Sequence, residues 1–321
     1  MVDGDRDDER ARAALRAAQM YYVQDLTMEA IASDLHTSRS TVSRLLSHAR
    51  SSGLVDIQIR SPFDAATELE RDLEARYGIA VHVVPCPQNI SDVDRLDRVA
   101  LTAARLLARF VDSNMTLGVA WGSTVSAISR HLVPKDTHNV TVVQMNGAGS
   151  YLTTGIDYTS EILRRFGDAY GAKVQQFPVP AFFDDPETRS ALWRERSTRR
   201  VLDIQSRMDL ALFGLGSPFA GVPSQVYIGG YLDEADFASL TEDEIVGDVA
   251  TVFYRADGSW TDVALNRRAT GPAFDELRRV ARRMCVVAGE QKVPSLRGAL
   301  AARLITDLVI DEAAARKLAA S

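Results

Sequence analysis

Along the first sixty residues the apolar positions recur at helical spacing and then alternate. From about Glu9 to Asp25, Leu15, Ala18, Met20, Tyr22 and Val23 contribute to an apolar side, which predicts a first helix. Thr27 suits an N-cap, and Ala30, Ile31 and Leu35 are spaced to pack inward, giving a short second helix. A tight break at His36-Thr37 comes next. Ser38 is a second N-cap, and the helix after it buries Val42, Leu45 and Leu46 while exposing Arg39, Ser40, Thr41, Ser43 and Arg44. Gly53 suits a helix end, and LVDIQIR beyond it alternates like a strand, which makes this a winged variant or a short exit ribbon. Two short helices across a tight turn, backed by a third, are the helix-turn-helix layout.

Ser61-Pro62 breaks that pattern, and the amphipathic stretch TELERDLEARYG opens a different regime. The domain boundary is therefore placed between residues 1–60 and 61–321. From Ile79 onward IAVHVVP, MTLGVAW, VTVVQMNG, AKVQQFPV, DLALFGLG, DVATVFY and RMCVVAG have the length and composition of strands. Helical stretches such as LTAARLLARF and the one from Ser123 separate them. This alternation predicts an α/β domain, a doubly wound parallel sheet with helices on both faces. The 321 residues agree with two unequal domains, because one core rarely grows that large.

Charge sharpens the picture. The chain carries a net charge of -6, which argues against nucleic acid until its distribution is considered. Between Arg10 and Arg60 seven arginines face four acids, so the helix-turn-helix segment is locally basic. A recognition helix presents polar side chains to base edges, while nearby hydroxyls and arginines clamp phosphates. Thr37, Ser38, Arg39, Ser40, Thr41, Ser43 and Arg44 supply both kinds of group, whereas an ordinary helical hairpin would mix Glu and Lys into that face. No apolar run is long enough to span a bilayer, and the acidic start MVDGDRDDERAR does not read as a signal peptide, so a cytoplasmic location without membrane contact is expected. Cys86 and Cys285 lie far apart without metal-ligand spacing and are read as core thiols; no metal or cofactor is expected.

In a doubly wound sheet, ligands bind beyond the carboxyl ends of the strands. Three loops there stand out. Gly122-Ser123-Thr124 leads straight into a helix, offering free N–H groups, two hydroxyls and a positive helix end to an anion. Asn146-Gly147-Ala148-Gly149-Ser150 and Gly216-Ser217 let backbone approach a ligand closely. Lys292 opens a helix after MCVVAG, and Asp248 and Asp257 flank VATVFY, where either carboxylate is a sugar-hydroxyl acceptor or a turn residue.

The run YYVQDLTMEAIASDLHTSRSTVSRLLSHARSSGLVDIQI resembles the N-terminal module of the SorC family of bacterial sugar-responsive regulators, with SRSTVSRLLSHAR as its most specific part. The resemblance continues through VAWGST, QMNG, FPVPAFFDDPETR, LALFGLGS, VGDVATVFYRADG, LNRRATGP and VAGEQKVPSLRGALAARLITDLVIDEAAA. It implies that Arg39 to Arg44 read an operator, and that the large domain is similar to the sugar-phosphate isomerase and glucosamine-phosphate deaminase fold. By the same resemblance Gly122, Ser123 and Thr124 take a phosphate, and Asn146, Gly147, Asp248, Arg268 and Lys292 are further effector contacts. This chain departs from the family with Gly289-Glu290 where two glycines are expected and with Asn146-Gly147 where the loop is often doubly glycine. The effector class therefore stays open among sugar phosphates, sugars and sugar alcohols.

Two rival classes frame this reading. An isomerase or deaminase needs a placed base and often a helper histidine, yet His36, His48, His82, His131 and His138 all fall outside the three glycine loops, so no catalytic residue is assigned. A ligand-free scaffold has no need of several converging glycine loops. One recognition helix covers too few base pairs for a unique address, so a homo-oligomer, dimer or tetramer, associating through the large domains on double-stranded operator DNA is expected.

Overall fold

Three helices, α1 (Asp3–Tyr22), α2 (Met28–Asp34) and α3 (Arg39–Ser51), build the N-terminal unit. In this computed structural model the chain divides into units Met1–Ala65 and Ala66–Ser321. Described are residues 3–55, 67–87, 89–218, 220 and 224–320, with side chains from residue 11 onward. The Thr27 hydroxyl accepts the Ala30 N–H at 3.2 Å, and Ser38 accepts that of Thr41 at 3.2 Å, so both expected caps form. His36 turns the chain between the two helices with φ 47°.

The core of this unit is Ala14, Ala17, Ala18, Met20, Ile31, Ala32, Val42, Leu46 and Ala49. Alanines at positions 14, 17 and 18 form one helical face, and their small side chains let α1 lie close on α3. That periodicity displaces part of the expected apolar side. Leu15, Tyr22 and Val23 are 41%, 36% and 79% exposed, and Ala30 is exposed as well. Val23 lies past the end of α1, which stops before Asp25 takes the left-handed φ of 53°. The winged or ribbon expectation for residues 56–60, and the Ser61-Pro62 break, lie outside the described residues.

The second unit is organised on a seven-stranded sheet. Its strands are β1 (Ala80–Val84), β2 (Thr116–Val119), β3 (Thr141–Gln144), β4 (Lys173–Gln175), β5 (Leu210–Gly214), then, after a separate hairpin of β6 (Ile245–Val249) and β7 (Val252–Arg255), β8 (Arg282–Val287) and β9 (Asp307–Asp311). The sheet order is β1-β9-β8-β5-β2-β3-β4, and every pairing is parallel. Leaving out the short α4 (Glu68–Tyr77), the helices α5 (Asp92–Phe110), α6 (Ser123–Arg130) and α7 (Ile156–Tyr170) cover one face through Ala103, Ile128 and Phe166. On the other face Leu73 of α4 packs with Val201, Leu296 and Leu318 from later helices. Within one strand Leu212 faces the first core while Ala211 and Phe213 face the second, the alternation a sheet buried on both sides requires.

Two expectations need correction. DVATVFY is not one strand: Ala250 and Thr251, with φ 47° and 71°, turn it into the β6–β7 hairpin. The turn needs two left-handed residues, and Ala-Thr lacks the Asn-Gly signal that usually announces it. β9 is not among the predicted strands, because its short run DLVID is enclosed by helical sequence; it nevertheless lies inside the sheet between β1 and β8.

Asp311, at the end of β9, is fully buried and holds three elements together. Its carboxylate accepts the Gly289 N–H at 2.6 Å, the Ala314 N–H at 3.2 Å and Arg95 Nη1 at 3.2 Å. Removing it leaves the guanidinium of Arg95, only 13% exposed, without its buried partner. Asp311→Ala should lower unfolding free energy by about 3 to 5 kcal/mol in urea titration; a loss below about 1 kcal/mol would contradict this assignment.

Candidate functional site

Strand order reverses between β2 and β5, which stay parallel: from β2 the sheet grows through β3 to β4, and from β5 through β8 and β9 to β1. Connections leave these two strands in opposite directions, so a crevice opens at their carboxyl ends. Trp121, Gly122, Ser123 and Thr124 after β2, Asn146 after β3, Leu215 and Gly216 after β5, Asp248 of β6, Thr251 of the hairpin turn and Lys292 after β8 line it together. Ser224, Gln225 and Val226 add a further wall.

The crevice offers an anion a prepared end. Gly122 takes φ 135° at the start of α6, with no side-chain cap on that helix. The first hydrogen bond within the helix runs from Ser126 N–H to the Gly122 carbonyl at 2.9 Å, which leaves the N–H groups of Ser123 to Val125 pointing along the positive end of the dipole. Gly214 keeps the approach open: a Cβ there would meet Thr124 at 2.9 Å.

Opposite lies a buried carboxylate and a buried ammonium. Asp248 is 3% exposed and Lys292 6%. Burial pushes the Asp248 carboxyl up to about 6, partly offset by the Thr251 N–H at 3.1 Å and by the charge of Lys292. Burial also lowers the Lys292 ammonium, which donates to the Leu215 carbonyl at 3.1 Å and is drawn back toward its charged form by Cys285 and Asp248. Oδ1 of Asp248 and Oδ1 of Asn146 are buried without hydrogen-bond partners among the described residues. The Tyr227 hydroxyl influences Asp248 electrostatically without reaching hydrogen-bond geometry, and burial raises its pKa strongly.

The remaining candidates fall elsewhere. Arg268 is bound to Asp236 and donates to the Phe183 carbonyl at 3.3 Å, so its guanidinium is committed outside the crevice. Gly147 is a packing glycine: its N–H donates to Thr270 at 3.0 Å, its carbonyl accepts from the Trp121 indole at 2.8 Å, and a Cβ would lie 2.2 Å from the Pro180 carbonyl. Ser217 is buried beside Gly216 but does not line the crevice. Asp257 is exposed and caps its own turn through the Ser259 N–H at 2.9 Å. Cys285 is a buried thiol, but Cys86 is only half-buried, which corrects the reading of both as core. Trp121, Gly214 and Thr251 are not singled out by sequence reasoning; a glycine inside a strand, as at 214, is the signal that could flag a close approach.

On the N-terminal unit, Arg39, Ser40, Ser43 and Arg44 of α3 are exposed, and Thr37 and Thr41 are half-buried. Ser38 is occupied as the cap, its hydroxyl 2.8 Å from that of Ser40 and 2.9 Å from that of Thr41. Arg39 pairs with Glu29 at 3.0 Å across the turn, with both side chains largely in solvent, so the pair is weak. Among the described residues there is no cluster of three or more His, Cys, Asp or Glu that could hold a metal, and no helix is long and apolar enough to cross a membrane.

These features coincide with those of known proteins. The family described as a sugar-binding domain matches residues 61–320, and a homeodomain-like domain matches residues 5–57. The deoxyribonucleoside regulator of Bacillus subtilis (strain 168) is 31% identical over 315 residues, covering 97% of this chain and 98% of that protein. Full-length sorbitol operon regulator SorC from Klebsiella pneumoniae superposes with a TM-score of 0.79 at 25% identity, over 96% of this chain and 98% of that one. A domain from Arthrobacter aurescens TC1, described as belonging to a possible sugar-binding transcriptional regulator, superposes with a TM-score of 0.75 at 55% identity, over 81% of this chain and all, 100%, of that one. With a helix-turn-helix followed by this sugar-binding domain along nearly its whole length, the chain belongs to the SorC-type family of sugar-binding transcriptional regulators.

Proposed function

We propose that the crevice between β2 and β5 holds a phosphorylated sugar or sugar alcohol, and that its occupancy controls how α3 engages operator DNA. The observation that carries this reading is the pair of buried, unpartnered acceptors, Asn146 Oδ1 and Asp248 Oδ1, facing an uncapped helix end in one crevice. Unsatisfied buried acceptors cost free energy, and hydroxyl donors of a polyol satisfy them. The α6 N-terminus takes the phosphate through the N–H groups and the hydroxyls of Ser123 and Thr124. Lys292, already turned on the Leu215 carbonyl, supplies the positive charge opposite. Relatives named for deoxyribonucleosides and for the sorbitol operon support an effector of sugar or sugar-alcohol type.

On the DNA side, Arg39, Ser40, Ser43 and Arg44 read the major groove and its phosphates, and two or more subunits bind a partly palindromic operator. The effector acts by binding one arrangement of the subunits more tightly than the other, so operator affinity changes by that difference. A cytoplasmic regulator fits the thiols Cys86 and Cys285, both free.

Arg44→Ala should weaken operator binding by about 1 to 3 kcal/mol in gel-shift titration, and unchanged affinity removes Arg44 from the interface. Thr124→Val keeps the volume of a 5% exposed side chain while deleting its hydroxyl, so induction in a reporter strain should be lost with operator affinity intact; retained induction contradicts the phosphate seat. Because the Asp248 carboxyl is pushed up to about 6, it is protonated and a poor hydroxyl acceptor below that pH. Effector affinity measured by calorimetry should therefore fall as pH drops through 6, and Asp248→Asn should flatten the profile; a profile unaffected by that change counts against contact with Asp248.

A further inference from the structure

The helix Arg196–Gln205, far along the chain from the recognition helix, carries a concentration of positive charge that the effector site does not use. Its inner side is fixed: Val201 is buried in the core and Gln205 donates to the Gln144 and Met145 carbonyls at 2.7 and 3.2 Å. Its outer side is different. Arg196, Arg199, Arg200 and Arg207 line one shallow groove with Asp203 and Ile204, four arginines against one carboxylate in a chain of net charge -6. All four arginines are exposed, and none is in an ion pair among the described residues.

Folding accounts for only part of this arrangement: Arg207 Nε donates to the Asp203 carbonyl at 3.0 Å and so closes the helix end, while the other three arginines carry no such bond among the described residues. Arg196 and Arg200 are like charges four residues apart, which repel on a helix, and Asp203, four residues after Arg199, forms no ion pair with it among the described residues, unlike Arg164 and Asp168 at 2.9 Å. Arginine is used throughout, the residue whose planar fork matches phosphate oxygens two at a time. The helix runs about 15 Å from Arg196 to Gln205 with Arg207 just past its end, enough to meet several successive phosphates of one strand.

We propose that this groove is a second polyanion contact of the regulator, which takes the phosphate backbone of duplex DNA flanking the recognition element. It adds affinity without reading sequence. The chain already belongs to a DNA-binding family, so the complementary surface is present whenever the operator is bound.

The test compares the full chain with an Arg196→Ala, Arg199→Ala, Arg200→Ala, Arg207→Ala variant and with its four-lysine counterpart. Fluorescence anisotropy is read on a promoter duplex of about 60 base pairs and on one trimmed to about 20, across a salt series. The alanine variant should bind the long duplex about tenfold or more weakly and the short one almost unchanged, and its slope against log salt should shrink by about 0.9 for each phosphate no longer neutralised. The lysine variant should recover most of the affinity. Equal affinity and slope for the wild-type chain and the alanine variant on the long duplex overturn the proposal. So does a changed subunit mass in light scattering, which assigns the groove to contact with another protein copy. Weakened binding of both duplexes by Arg44→Ala alongside a normal four-alanine variant separates failure of this proposal from failure of the recognition-helix reading.

Discussion

Two backbone hydrogen bonds between Gly216 and Asp248, at 2.9 and 3.2 Å, tie the β6–β7 hairpin to the loop that ends β5. The pairing carries a steric condition: a Cβ on residue 216 would meet Asp248 Oδ1 at 1.7 Å, so only glycine lets the hairpin come this close. The chemistry of the crevice depends on this pairing. It brings the Asp248 carboxyl out of water and sets it with Lys292 opposite the start of α6, and burial then raises the one group and lowers the other. A crevice made this way carries an unfavourable state, because buried acceptors lacking donors are costly.

The sheet explains why the hairpin docks where it does. Parallel strands deliver their loops to one edge, and the reversal of strand order between β2 and β5 leaves a gap there. Asp311 braces the neighbouring edge by receiving the Gly289 N–H, at the turn from which Lys292 is presented. The same carboxylate caps the last helix and holds Arg95, so a residue outside the crevice braces one of its walls.

Much of this is legible in the sequence, for identifiable reasons. Gly122, Ser123, Thr124, Asn146, Gly216 and Lys292 meet in one crevice because each comes after a strand whose apolar run is plain and parallel topology gathers them, while Asp248 is brought there by the antiparallel bridge of β6 to Gly216. The position of Arg268 is not legible, since nothing in its neighbours announces Asp236, a partner 32 positions away. Gly147 reads as a loop that lets a ligand approach, and it is instead a glycine that lets Pro180 approach. The hairpin escapes because Ala250-Thr251 adopts left-handed backbone that its side chains disfavour, an event decided by tertiary contact. In the DNA-binding unit the caps Thr27 and Ser38 are readable from local chemistry, while the inward face of α1 is set by how closely alanines allow α3 to pack.

We propose that an anionic polyol satisfies the buried acceptors of the crevice and that regulation follows from its binding. Thermal unfolding of the purified full chain, titrated with a panel of sugar phosphates, sugar alcohol phosphates and their unphosphorylated parents, tests it most directly. At a hundredfold excess over its dissociation constant a true effector should raise the melting temperature by about 5 °C, with the phosphorylated member well ahead of its parent. A panel in which no sugar or polyol, phosphorylated or free, moves the transition would contradict the account.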